Sequence, residues 1–201
     1  MHKKAAMLED RGVVSVSGED ATGFLQGLLT NDVERLGPGE ARYGALLTPQ
    51  GKILFDMIAV RAPGEEPSYL IDCAAAQAAD LAKRLGFYKL RAKVTIVDQS
   101  AGRAVAAFWG EMPPRIDDGL LFADPRDPRL GWRAILPRPV AAAVGLEHVD
   151  EYEGLPSPSG RPRAASISPM RTRSRTTPIS IFSMGSTSIR AAMSARRSFL
   201  A

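Results

Sequence analysis

The sequence predicts an α+β fold. Two observations carry that prediction: short β-branched runs pair across turn residues, and two helix-patterned segments are interleaved with the paired runs. The length of 201 residues adds a third, since it fits one domain or one and a half. With 45% hydrophobic and 24% charged residues, most of the chain has the composition of a soluble globule.

Residues 11–16 read as a strand, because Val13, Val14 and Val16 are β-branched and Gly18 follows. Ser17-Gly18-Glu19-Asp20 resembles a helix start with acids in the first turn. Within 21–29, Phe24, Leu25, Leu28 and Leu29 fall at helical spacing and give one buried face. Thr30-Asn31-Asp32 closes that helix with residues that favour turns, and Gly37-Pro38-Gly39 is a loop. Residues 41–47 and 53–60 are strands joined by Thr48-Pro49-Gln50-Gly51. In that hairpin turn Pro pre-sets its own φ and Gly accepts a positive one. A strand at 69–72 precedes an Ala-rich helix at 74–85, where Leu81 and Leu85 are four apart. Residues 93–97 and 104–108 look like further strands. Beyond Pro113, Asp124-Pro125-Arg126-Asp127-Pro128-Arg129 is a loop by composition, 130–136 a strand, and 140–146 and 150–153 short helices.

Charge divides the chain. The net is +4 and the pI about 9.5, which invites a nucleic-acid reading. Residues 1–155, however, hold 18 Lys+Arg and all 22 Asp+Glu, a net of −4. Residues 156–201 hold 8 Arg, no Lys and no acid, a net of +8, together with 11 Ser. An acidic domain therefore carries a basic Ser/Arg-rich tail, expected to be disordered. Phe182 and Phe199 are the tail's only aromatics, which argues against a stacking platform, and direct nucleic-acid binding is not expected.

Cys73 is the single cysteine, so no internal disulfide forms, and a reducing, cytoplasmic location is expected. Residues 1–12 lack the apolar stretch of a signal peptide, and no apolar run reaches the length of a membrane span. With His2 and His148 the only histidines, no His-centred triad or metal site is expected.

Each candidate residue has a plain reading beside a functional one. Thr30-Asn31-Asp32 is either a turn or a set of polar groups presented at a pocket. Tyr43 and Asp56 lie on the two arms of the hairpin around Gly51. They are surface residues, or else a ring that stacks on a flat ligand and a carboxylate that accepts from a ring N–H. Asp72 and Asp80 flank the start of the Ala-rich helix, where the helix dipole favours carboxylates in any protein. Cys73 reads as a small buried hydrophobe, and Trp109 as core or pocket wall.

Two long strings carry a resemblance. The first runs from Leu8-Glu9-Asp10-Arg11-Gly12-Val13 through Phe24-Leu25-Gln26-Gly27-Leu28-Leu29-Thr30-Asn31-Asp32-Val33. The second is Tyr43-Gly44-Ala45-Leu46-Leu47-Thr48-Pro49-Gln50-Gly51-Lys52-Ile53-Leu54-Phe55-Asp56. With Tyr88-Lys89-Leu90-Arg91-Ala92-Lys93-Val94 and Asp127-Pro128-Arg129-Leu130-Gly131-Trp132-Arg133, they resemble the YgfZ family over residues 8 to about 155. That family comprises folate-binding relatives of the T-protein (aminomethyltransferase) of glycine cleavage. It supports iron–sulfur cluster assembly or repair and, through that, tRNA modification.

The resemblance implies three GcvT/YgfZ-like α+β subdomains around a tetrahydrofolate pocket, incomplete here at the C-terminus. It places Asn31, Asp32, Tyr43, Gln50 and Asp56 near the folate. Asp80 falls where aminomethyltransferases carry an acidic residue, although the surrounding residues differ. It also implies iron–sulfur proteins or their assembly machinery as partners, and a non-catalytic role with no catalytic or metal-ligating residues.

The family's K-G-C-Y-x-G-Q-E segment is absent as written. Yet codons exist for residues 189–197 that, read two bases later, spell Lys-Gly-Cys-Tyr-Val-Gly-Gln-Glu, and residues 166–170 similarly yield Asp-Phe-Ala-Tyr. The sequence thus suggests one base lost just after the Leu155 codon. Residues 1–155 are then a partial folate-binding region and 156–201 out-of-frame translation.

Three readings follow: a truncated folate-binding assembly factor, an aminomethyltransferase-like enzyme, or a small module with a basic nucleic-acid-binding arm. Limited proteolysis is expected to remove 156–201 first; a tail that resists protease contradicts the division at Leu155.

Overall fold

The computed structural model describes residues 5–111, 113, 116 and 118–143. Two antiparallel sheets organise them. The larger is built from β2 (Arg11–Ser17), β3 (Ala41–Leu47), β4 (Ile53–Arg61), β5 (Ser68–Ala74) and β6 (Thr95–Asp98), in the order β3-β4-β5-β2-β6. The smaller is built from β1 (Ala5–Met7), β7 (Arg103–Phe108), β8 (Leu120–Ala123) and β9 (Trp132–Pro137), in the order β1-β7-β9-β8. Helices α1 (Ala21–Leu28) and α2 (Ala78–Tyr88) pack on the large sheet, and α3 (Arg138–Ala143) on the small one. The α+β class is as expected.

Strand alternation sorts the side chains of the large sheet onto two faces. Val14, Val16, Met57, Ala59, Ile71 and Cys73 point to the helices, where Leu25, Leu81 and Leu85 are fully buried. Burying each such leucine contributes roughly 1.5–3 kcal/mol, which outweighs the modest intrinsic propensity of short helices. The alternate residues Val13, Ile58, Val60 and Leu70 face the small sheet and meet Val105, Ala107, Trp109 and Ile135. Trp109 is thus part of the core between the sheets.

A chain of buried ions joins the same two layers. Asp72 on β5 accepts from Arg11 Nε on β2, and its other oxygen accepts from Arg133 Nη1 on β9 at 2.6 Å. Arg133 Nε reaches Asp124 at 2.8 Å, and Asp124 also accepts from Arg126 Nη2 at 2.6 Å. Asp72 and Arg133 are completely excluded from solvent. Burial raises the Asp124 pKa, but the Arg126 hydrogen bonds and the Arg133 charge outweigh it and hold the carboxyl below its usual range. The helix-dipole reading of Asp72 is therefore corrected: its carboxylate sits mid-strand and is held by two guanidinium groups.

Other differences have local causes. Asp20 is the N-cap of α1, yet its carboxylate accepts from Lys93 N at 2.7 Å rather than capping the helix, and the first turn of α1 holds no acid. Ala74 is the last residue of β5, paired with Arg11; a 3-10 turn at Ala75–Gln77 leads into α2. The ladder bond overrides alanine's helix preference there. Strands β1 and β8 escape the sequence reading, because Ala-Ala-Met and Leu-Leu-Phe-Ala lack alternation and become strands only by pairing with β7 and β9. Pro128–Leu130 forms a 3-10 turn, and Gly131 reverses the chain into β9 at φ +76°, where a Cβ would lie 2.3 Å from Phe108 O. Of the expected helix at 140–146, residues 144–146 lie outside the described residues, as do the helix at 150–153 and the tail at 156–201.

Replacing Arg133 by Met is expected to cost about 3 kcal/mol in urea unfolding, because Asp72 and Asp124 each lose one buried partner. A loss below about 1 kcal/mol would show that Arg11 and Arg126 neutralise both carboxylates unaided.

Candidate functional site

The hairpin expected around Gly51 forms as predicted. Gly51 takes φ +81° and donates to Thr48 O at 2.9 Å, while Thr48 N donates to Lys52 O at 2.7 Å. The register then sets Tyr43 opposite Ile58 and Ala45 opposite Asp56, so Tyr43 and Asp56 are diagonal neighbours on one face. Tyr43 Oη donates to Asp56 Oδ2 at 3.2 Å. That face is the one turned toward the small sheet, since Tyr43 packs against the intersheet core with Ile58. Burial falls along β4 from Val60 and Ile58 to the half-buried Asp56 and Leu54, so the face opens toward the hairpin.

The segment after α1 is drawn to the free edge of β3. Leu29 bridges to Leu46, Thr30 N donates to Ala45 O at 3.0 Å, and Thr30 Oγ1 accepts from Ala45 N at 3.0 Å. Asn31 Nδ2 donates to Tyr43 O at 3.0 Å, and Asn31 Oδ1 accepts from Asp32 N at 2.8 Å. Asn31 thereby fixes the backbone from which the Tyr43 ring projects. Asp32 does turn chemistry: its carboxylate accepts from Glu34 N at 3.0 Å and lies 3.6 Å from Arg35 Nε.

Of the six expected residues, Tyr43 and Asp56 are thus brought together on one face, Asn31 joins them at the β3 edge through the Tyr43 backbone, and Asp32 stays in the turn beside it. Gln50 is exposed at the hairpin tip. Asp80 is exposed in the first turn of α2, which packs on β2 and β6 at the other edge of the sheet, away from Tyr43. Sequence reasoning missed Gln26, whose Oε1 accepts from Val33 N at 2.8 Å and Glu34 N at 3.2 Å and so holds the turn. A glutamine inside a helix carries no local signal for a bond seven residues on.

The assembled groups offer a carboxylate acceptor beside a phenol ring at the mouth of an apolar layer. Such a pair suits a flat heterocycle with N–H donors on one edge.

The sequence matches the family described as GCVT N-terminal domain over residues 6–115. The chain is 35% identical over 146 residues to the iron–sulfur cluster assembly factor IBA57 homolog, mitochondrial, of Mycosarcoma maydis, covering 66% of this chain and 36% of that protein. It is 34% identical over 149 residues to the mitochondrial IBA57 of Mus musculus, covering 64% of this chain and 41% of that protein. The chain therefore spans about two fifths or less of the curated relatives it matches. Its fold is similar to the crystal structure of the glycine cleavage system aminomethyltransferase T from Bartonella henselae. The TM-score there is 0.60 at 21% identity, over 71% of this chain and 44% of that one.

These relatives correct one expectation. Their names place those proteins in mitochondria, which contradicts the cytoplasmic location expected from the sequence. A lone cysteine reports the absence of disulfides and does not distinguish one reducing compartment from another.

Cys73 lies in the core beneath the helices, with Sγ 3.8 Å from Gly12 O. Burial, then the adjacent Asp72 charge, pushes its thiol pKa up to about 12. Thiol reagents at neutral pH are expected to leave Cys73 unmodified in the native protein and to label it on unfolding in urea. Fast native-state labelling would contradict this packing.

Proposed function

Because this chain belongs to the GCVT N-terminal domain family, we propose that it forms part of an iron–sulfur cluster assembly factor and contributes the first portion of its tetrahydrofolate site. The named function of the relatives supports the assembly role. The observation that carries the folate reading is the Tyr43–Asp56 pair, tied by a 3.2 Å hydrogen bond at the mouth of the intersheet face and backed by Asn31. The donor set fits the ligand. Asp56 accepts from pterin-ring N–H groups, Tyr43 offers its ring and holds the carboxylate in place, and Asn31 fixes the Tyr43 backbone. Bound tetrahydrofolate supplies a carrier for one-carbon groups. Gln50 and Asp80 stand apart from this cluster and are placed outside the first contacts.

In this reading the partners are iron–sulfur proteins or their assembly machinery, and tRNA modification of the YgfZ type follows from cluster supply. Residues 1–155 provide the partial folate-binding region, and 156–201 are out-of-frame translation. An aminomethyltransferase reading rests on a shared fold alone.

Calorimetric titration of tetrahydrofolate into the chain tests the site. Saturable binding is expected. Asp56→Ala should weaken it about tenfold or more, the scale of a hydrogen bond to a charged group. Tyr43→Phe should weaken it less, and Asp80→Ala should leave it unchanged. Equal binding by the parent and Asp56→Ala, or no saturable binding, overturns the folate assignment.

A further inference from the structure

The C-terminal half of α2 and the turn after it stand apart from the rest of the surface. Leu81 and Leu85 face the core, which turns Lys83, Arg84 and Phe87 outward. The chain then continues through exposed Lys89, Leu90 and Arg91. Phe87 is 65% exposed and Leu90 is 75% exposed. Leu90 also adopts φ +41°, a left-handed conformation that a branched residue rarely takes. Residues 83–93 contain five Lys+Arg and no acid, within a 1–155 region whose net charge is −4. Lys93, at the border, is paired with Glu19 at 2.8 Å, and Asp80 bounds the patch at the start of the helix.

Neither apolar side chain gains anything from water, and the positive φ at Leu90 adds a backbone cost to an already exposed side chain. Apolar anchors ringed by cations are the makings of a protein-recognition surface.

We propose that residues 83–93 form a docking surface for a protein partner with an acidic, apolar-centred face, such as an amphipathic helix whose carboxylates flank a leucine stripe. Leu90 and Phe87 fill the apolar centre, and the surrounding cations meet the carboxylates. The complementarity is of charge as well as shape, because a basic partner face would be repelled by five uncompensated or weakly paired cations. Single-stranded RNA fits less well: Tyr88 packs against the core, so Phe87 is the one exposed ring in the segment, and stacking needs successive rings. A membrane surface fits less well too, because the broad apolar face of α2 is turned inward. This surface is separate from the Tyr43–Asp56 cluster, and its test does not depend on folate binding.

Fluorescence anisotropy with the full chain and four labelled probes tests the proposal. The probes are a helical peptide with a leucine stripe flanked by Glu, the same peptide with Lys for Glu, a single-stranded RNA, and vesicles of anionic phospholipid. The Glu peptide is expected to bind best and to weaken as salt rises. Leu90→Ser should weaken it about tenfold while leaving the salt dependence intact. The double variant Lys89→Glu with Arg91→Glu should weaken it and flatten the salt dependence. Both changes lie on exposed positions, and an unchanged thermal midpoint in each variant verifies that the fold is kept. Equal binding of the Lys peptide, preference for RNA or vesicles, binding indifferent to these variants, or no binding of the Glu peptide overturns it.

Discussion

Asp72 accepts from Arg11 on one strand of the large sheet and from Arg133 on a strand of the small one, and none of the three is solvent-exposed. Everything else in the arrangement of the two layers is compatible with this contact. Apolar packing between sheets is non-directional and tolerates sliding, since Val, Ile and Leu fill similar holes. A buried carboxylate does not tolerate sliding: moved by one residue, Asp72 would face the helices and take its charge away from Arg11 and from the Nη1 side of Arg133, at a cost of several kcal/mol. The ion chain therefore fixes which strand of the small sheet lies over which strand of the large one. Two carboxylates against three guanidinium groups also explain why the Asp-Pro-Arg-Asp-Pro-Arg stretch is structured. Arg126 belongs to the chain of charges, and Asp127 accepts from Arg129 N at 2.9 Å, which caps the 3-10 turn before Gly131.

That fixed stacking gives the candidate site its character. Ile58 and Val60 are sealed between the layers, whereas Asp56, nearer the hairpin on the same face, is half-buried. A hydrogen bond to a carboxylate at such a boundary gains strength from the apolar floor beside it. Asn31 and Thr30 close the exposed edge of β3 by hydrogen-bonding to its backbone, which both protects the edge and steadies Tyr43. The polar groups that shape the site are thus also the groups that finish the sheet.

The Tyr43–Asp56 cluster and the basic α2 surface lie toward opposite edges of the large sheet, β3 and β6 respectively. A ligand at one edge and a protein partner at the other would not compete for space. The chain aligns with about two fifths or less of these relatives' length, which leaves room for further parts of the proposed site to be contributed by segments that this sequence does not align with.

The sequence by itself determined the local elements and the family. The Thr48–Gly51 turn, the valines of β2 and the leucine spacing of both helices are short-range signals, because turn chemistry and periodicity act within a few residues. Tyr43 and Asp56 were legible as a pair, since a hairpin of known turn fixes which residues share a face. Only the tertiary structure decided the rest. Asp72 read as a helix-flanking acid until Arg133, 61 residues away, was brought onto it. Ala5–Met7 became a strand only beside β7. Asp80 parted from the other candidates because α2 packs on the far edge of the sheet. Long-range pairing is set by which faces and charges can be buried together, and no window of adjacent residues contains that information.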